Sequence, residues 1–319
     1  MNADGSRDRV ALKAATMDAA TFGRRGVAQS LIRSLRLQQW AKNFLIFIPL
    51  VLAGKFQSAE AWTACILGFL AFGLLASATY LVNDIKDVSF DRLHWSKCAR
   101  PLANGDLTVA AALAAAVLGG VASFGIAAGI GRGAFLILAI YAALTLVYSI
   151  RLKRVPMLDV FVIAVLFTLR LVLGIQLAKV AASPWLLVFS MFVFLSLSLG
   201  KRYTEVARAS ALGRERIAGR GYLAKDGPLL FGLGLSTGVG AVFIMILYLL
   251  NEAFAAGFYK SPMLLWALPA VLFLWLGRYW LIAGRGELDD DPLEYAVRDR
   301  VSLGLGIAMA AIFVGAWQH

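Results

Sequence analysis

Charge is scarce in this chain. Asp, Glu, Lys and Arg make up 16% of its 319 residues, against about a quarter in an ordinary soluble domain. With 60% hydrophobic residues and a mean hydropathy of +0.75, this shortage argues against a water-soluble domain and for a membrane protein. Histidine and cysteine are scarcer, at two each. His94 and His319 have no Cys/His pairing around them, which disfavours zinc. Cys65 falls in an apolar stretch and Cys98 in a polar loop, so a disulfide is not expected. Alternating ten-residue strand patterns are absent, which favours a helical bundle over an outer-membrane barrel. Residues 1–40 lack the apolar core and small-residue cleavage site of a signal peptide.

What the chain has instead is long apolar runs. A membrane-spanning helix needs about 20 residues, and the runs predict spans near 41–54, 61–82, 108–130, 133–150, 156–178, 184–200, 228–250, 262–283 and 301–317. The expectation is an all-α polytopic membrane bundle of about nine transmembrane helices, with a short first span and an arginine in the fifth. The net charge of +12 raises the question of nucleic acid, but its distribution answers it. Of the 31 Lys and Arg, only Lys55, Arg132, Lys179, Lys260 and the intramembrane Arg170 fall off one side. The positive-inside rule then places the N-terminus in the cytoplasm and His319 outside, and nucleic acid is not a partner. Residues 1–22 are expected to be a disordered tail and 23–319 a single domain. In "RRGVAQSLIRSLRLQQW" (24–40), Val27, Leu31 and Leu35 share one face among arginines, the pattern of an interfacial helix.

The inner loops, 83–107, 201–227 and 284–300, are long, and the outer ones are short turns. Long polar loops on one face suggest a site there. "GLGLSTGVG" (232–240) looks like a phosphate loop but lies in an apolar span, so close helix packing explains it better. "NDIKDVSFDRLHWSKCARP" (83–101) spaces Asn83, Asp87 and Asp91 four apart. On a helix these share one face, with Asp84 a turn from Asp87. Aspartates at that spacing repel one another unless something neutralises them. A divalent ion would do so, and carboxylates with an amide oxygen suit Mg2+ shared with substrate phosphates. The plainer reading is a solvated helix end. Lys97 and Arg100 follow closely enough to bind the same phosphates, although membrane anchoring also explains them.

Other basic residues carry the same two readings. "YSIRLKRVPMLD" (148–159) sets Arg151, Lys153 and Arg154 in a tight turn, where topology or phosphate binding would account for them. Arg170 is either the partner of a buried acid or an anion ligand at the base of a cavity, because an intramembrane charge normally faces the bundle interior. "LGKRYTEVARAS" (199–210) is read as the start of a loop, with Lys201, Arg202 and Tyr203 as phosphate ligands and Glu205 as a candidate metal ligand. "RGELDDDPLEYAVRDR" (285–300) holds six acids, read either as catalytic or as Asp289 to Asp291 lying near the positive end of a helix that Pro292 starts. Lys42 and Asn43, in "RLQQWAKNF" (36–44), are expected at the membrane boundary, where Lys42 either anchors the chain or binds the phosphate of a lipid acceptor.

The segments "QQWAKN", "NDIKDVSFDRLHWSKCARP", "KRYTEV" and "DDDPLEYAVRDR" together resemble the UbiA superfamily of intramembrane transferases over almost the whole chain after residue 30. The resemblance implies nine helices around a cavity open to the cytosol and to lipid, with Mg2+ and a diphosphate substrate held by Asn83, Asp87 and Asp91, and Asp84 beside them. Aromatic prenyltransferases of the superfamily usually carry a second DxxxD motif after the sixth span. This chain has "KRYTE" there, which resembles the decaprenyl-phosphate phosphoribosyltransferase branch and its rhizobial nodulation homologues. That branch implies phosphoribosyl pyrophosphate as donor and a polyprenyl phosphate as acceptor, giving a lipid-linked 5-phosphoribose that serves as an arabinose-donor precursor. Lys97, Arg100, Lys201 and Arg202 would divide the donor's phosphate ends, and the enzyme would sit in the bacterial inner membrane. The alternatives are a prenyltransferase acting on an aromatic or other acceptor, and a transporter or membrane subunit. A homo-oligomer is left open.

Overall fold

The computed structural model describes residues 26–92, 97–217, 219–288 and 299–318, apart from the side chains of Val27 and Gln318. The expected tail over 1–22, His94, the run from Asp289 to Pro292 and His319 lie outside the described residues. The helices are α1 Val27–Ser34, α2 Ile48–Leu52, α3 Ala59–Arg92, α4 Val109–Ile130, α5 Arg132–Ile150, α6 Leu158–Ala178, α7 Pro184–Ala211, α8 Gly227–Tyr248, α9 Ala267–Arg285 and α10 Arg300–Gln318. Among the described residues there is no strand, only an isolated antiparallel bridge between Arg216 and Leu223. Helices suit these runs because a backbone in hydrocarbon must satisfy its own hydrogen bonds.

Among the described residues, eight helices are long and apolar enough to cross a membrane, and the protein is a multi-pass membrane protein. The difference from nine lies at 41–54, where a 3-10 helix, Leu37–Phe47, runs into the five-residue α2. Pro49, near the start of α2, has no N–H to donate and is tolerated only in a helix's first turn. Gly174 on α6 accounts for the tight seating of this segment. A Cβ there would lie 2.1 Å from the Ile46 carbonyl oxygen, so only glycine permits this backbone approach.

Two helices outrun the bilayer. At 1.5 Å per residue the 34 residues of α3 extend about 50 Å, beyond a hydrocarbon core of about 30 Å. Its last turns therefore carry Asn83 through Asp91 as helix. Helix α7 likewise continues to Ala211, which corrects the reading of Lys201 to Glu205 as loop residues.

The described residues form two compact units. One takes the described residues up to Trp40 and Gly73–Ala122; the other takes Ala41–Phe72 and the described residues from Ser123 onward. In the first, Leu81, Leu102, Leu107 and Ala112 form a small core against Leu31 and Leu35. In the second, α7 packs on α6 and α8, and α9 on α8 and α10, around Leu171, Phe194, Leu199, Leu230, Tyr279 and Trp280. "GLGLSTGVG" is helical within α8, and a Cβ at Gly234 would lie 2.0 Å from the Trp280 ring. This is the close helix packing expected of it.

Candidate active site

In the first unit, the last turns of α3 bring together two buried aspartates and two arginines. Arg36 Nη2 donates to both oxygens of Asp84, at 2.7 and 2.8 Å. Arg100 Nη1 bridges Asp84 Oδ1 at 3.1 Å and Asp91 Oδ2 at 2.6 Å. The carboxylates are nearly closed off, whereas the arginine side chains remain 25% and 29% exposed. Asn83 and Asp87 are half-buried and form no side-chain hydrogen bond among the described residues, while Lys97 is exposed. The like-charge repulsion expected of this helix face is met by arginine. Local structure brings Arg36 there. Ser77 Oγ accepts from Trp40 Nε1 and donates to the Leu35 carbonyl, pinning the chain on either side of Arg36. Arg36 itself takes a left-handed backbone (φ 51°), unfavourable for a residue with a Cβ, and its guanidinium stacks 4.9 Å from the Tyr80 ring centroid. Arg36 was not a candidate from sequence: it lies 48 residues from Asp84, and anchoring accounted for its charge.

The second unit holds a different acidic centre at the start of α6. Asp159 accepts from Arg202 Nε at 2.6 Å and from the Tyr222 hydroxyl at 2.6 Å, and Arg202 Nη1 donates to Glu205 at 2.5 Å. The Tyr148 hydroxyl accepts from Arg202 and from Arg220 Nη1, which also reaches the Lys153 carbonyl. Burial, and then the bond to Asp159, push the Tyr222 phenol well above its usual pKa, so it stays a donor. Lys153 and Lys201 are half-buried and Arg154 is exposed. Tyr203 packs on Phe231 and Trp280. Tyr148, Arg220 and Tyr222 had no signal in the sequence beyond their polarity.

Residues 44–296 match the UbiA prenyltransferase family. The chain belongs to that family. A protein of uncharacterised function from Sinorhizobium fredii is 42% identical over 283 residues, 89% of this chain and 55% of that protein, so the chain spans about half of that relative. The nodulation protein NoeC of Azorhizobium caulinodans is 32% identical over 88% of this chain and 91% of its own. The decaprenyl-phosphate phosphoribosyltransferase of Mycobacterium tuberculosis is 32% identical over 61% of this chain and 66% of its own. A UbiA homologue from Archaeoglobus fulgidus, solved bound to GPP and Mg2+, shares the fold with a TM-score of 0.65 at 17% identity, over 90% of this chain and 98% of that one.

UbiA-family chemistry raises the question of a metal. Among the described residues no three Asp, Glu, His or Cys side chains gather to hold an ion by themselves. Mg2+ shared with substrate phosphates asks for only one or two carboxylates, and the oxygen donors of Asn83, Asp84, Asp87 and Asp91 fit that demand.

The remaining intramembrane candidates of this UbiA-family chain meet at Arg170. Its Nε donates to Asn43 Oδ1 at 2.9 Å and its Nη1 to the Leu166 carbonyl at 2.6 Å. Its guanidinium lies 4.5, 5.4 and 5.2 Å from the ring centroids of Phe72, Tyr141 and Phe167. Among the described residues no carboxylate pairs with it. Lys42 lies over the same Phe167 ring, 5.9 Å from its centroid.

Proposed function

We propose that this chain transfers 5-phosphoribose from phosphoribosyl pyrophosphate to a polyprenyl phosphate, at the cytoplasmic face of the bacterial inner membrane with its N-terminus inside. The observation that carries this reading is the engagement of Glu205. It is the first acid on α7 and the only one before Glu215, and it is bound to Arg202. Helix α7 therefore offers no second carboxylate pair for a prenyl diphosphate. The identity with the decaprenyl-phosphate phosphoribosyltransferase supports the same reading.

Asn83, Asp84, Asp87 and Asp91 would hold Mg2+ together with the donor's diphosphate. When bound, Mg2+ neutralises the charge that builds on the departing diphosphate. Arg36 and Arg100, both partly exposed beside these carboxylates, orient the phosphate oxygens. Lys97 is a further phosphate ligand at the exposed rim. The acceptor phosphate is already an anion, so no strong general base is needed. Its oxygen forms the new bond to C1 of ribose while the C1–O bond to diphosphate breaks, and diphosphate leaves with the electron pair. Direct attack inverts C1, from α donor to β product.

The second reading, prenyl transfer, is favoured by the GPP-bound structural relative. Incubating membranes containing the protein with polyprenyl phosphate, Mg2+ and labelled phosphoribosyl pyrophosphate separates the two. Label entering the lipid phase is the expected result. Label remaining water-soluble while an isoprenyl diphosphate is consumed overturns the proposal.

A further inference from the structure

Arg170 is 5% exposed, lies within a membrane-spanning helix, and has no carboxylate partner among the described residues. Three aromatic faces and two oxygens surround it. Ring faces attract a cation, but less than burial of an unpaired ion costs. A second, independent sign lies beside it. Asn43 is 1% exposed, and its Nδ2 has no acceptor among the described residues. Buried amide donors are nearly always satisfied, and here the oxygen of the same amide is taken by Arg170. Among the described residues, a cation without an anion and an amide N–H without an acceptor are thus adjacent, and Lys42 adds a second positive charge over the Phe167 ring.

We propose that the Arg170–Asn43 pair is a phosphomonoester site. Its oxygens would complete both groups at once, and its charge suits a guanidinium with an ammonium nearby. Such a phosphate could come from a lipid headgroup or from a sugar phosphate. The surroundings favour the lipid, because Arg170 lies within the membrane-spanning α6 with the Phe72, Tyr141 and Phe167 rings about its guanidinium. The inference rests on the transferase reading only in taking that lipid to be the acceptor.

The test is binding by the purified full chain in lipid nanodiscs, without donor, using farnesyl monophosphate and ribose 5-phosphate as probes. Asn43→Asp keeps the side chain's size but gives Arg170 a permanent counter-ion. It should melt no lower than the wild type without ligand and bind farnesyl monophosphate at least tenfold more weakly. Arg170→Lys, which keeps the charge but loses the fork, should retain part of the affinity. Unaltered farnesyl monophosphate binding by Asn43→Asp overturns the site, as does a lower melting point for that variant. Wild-type preference for ribose 5-phosphate overturns the lipid assignment. Because no transfer is measured, the two proposals fail separately. A wild type that binds farnesyl monophosphate, loses it in Asn43→Asp and transfers no phosphoribose refutes the function and retains the site.

Discussion

Asp91 and Asp159 are both buried aspartates bound to an arginine, yet the arginines differ. Arg202, beside Asp159, is 1% exposed, and both oxygens of Asp159 are filled, one by Arg202 and one by Tyr222. Arg100, beside Asp91, is 29% exposed and is shared with Asp84. A closed pair with both carboxylate oxygens filled holds the fold, because nothing can replace either partner without burying an unpaired charge. A pair whose cation reaches solvent can exchange that cation for a substrate's metal and phosphates. Under the proposed function, Arg202, a phosphate ligand by its sequence context, takes a structural role, and Arg36 joins the proposed phosphate ligands.

The largest effect should come from breaking the closed pair. Asp159→Ala leaves the buried Arg202 with Glu205 as its one carboxylate among the described residues and should cost about 3–5 kcal/mol, read as loss of folded protein in thermal unfolding in detergent. An unchanged midpoint would remove the distinction. Asp91→Asn keeps the size of the open pair's acid and should leave the melting temperature within a few degrees. Turnover should fall about a hundredfold, roughly 2.7 kcal/mol of transition-state stabilisation, and the Mg2+ requirement should rise. Full turnover in this variant would sink the metal-site proposal. Arg100→Gln should raise the KM for the donor about tenfold, roughly 1.4 kcal/mol, with less effect on kcat. A kcat defect alone would mean that Arg100 does not bind the donor's ground state.

The smallest effect is expected from a third kind of pair. Arg278 donates to both oxygens of Asp299 at 2.9 and 3.0 Å, and the side chains are 33% and 17% exposed. The hydrogen bond from Arg278 holds the Asp299 carboxyl well below the usual carboxylate range. A depressed folded-state pKa stabilises above the unfolded value, about 4, and that stability fades as pH falls further. Asp299→Asn should therefore lower stability by less than about 1 kcal/mol at pH 7. The difference from wild type should shrink in acid unfolding curves below about pH 4.

Periodicity and hydropathy made much of this legible. The eight spans follow from apolar runs, and the shared face of Asn83, Asp87 and Asp91 follows from four-residue spacing on a helix that outlasts the bilayer. The segment 41–54 is helical but irregular, a 3-10 helix running into a short α2, and this stayed hidden because hydropathy does not register Pro49 or a backbone contact at Gly174. Lys201 to Glu205 were misjudged because charge ends an apolar run without ending a helix. Arg36, Tyr148, Arg220 and Tyr222 stayed hidden because each acts on a partner at least 48 residues away, beyond the reach of local spacing.

By itself, then, the amino-acid sequence determined that this is a membrane-embedded helical protein with acids gathered at one end of its second long apolar run. Those properties depend on composition and on neighbours within a few turns. Only the tertiary structure decided which charges neutralise one another: Arg36 and Arg100 on Asp84 and Asp91, Arg202 on Asp159, and Arg170 on no acid among the described residues. Pairing is a matter of distance in space, and it separates a charge that holds the fold from one available to a substrate.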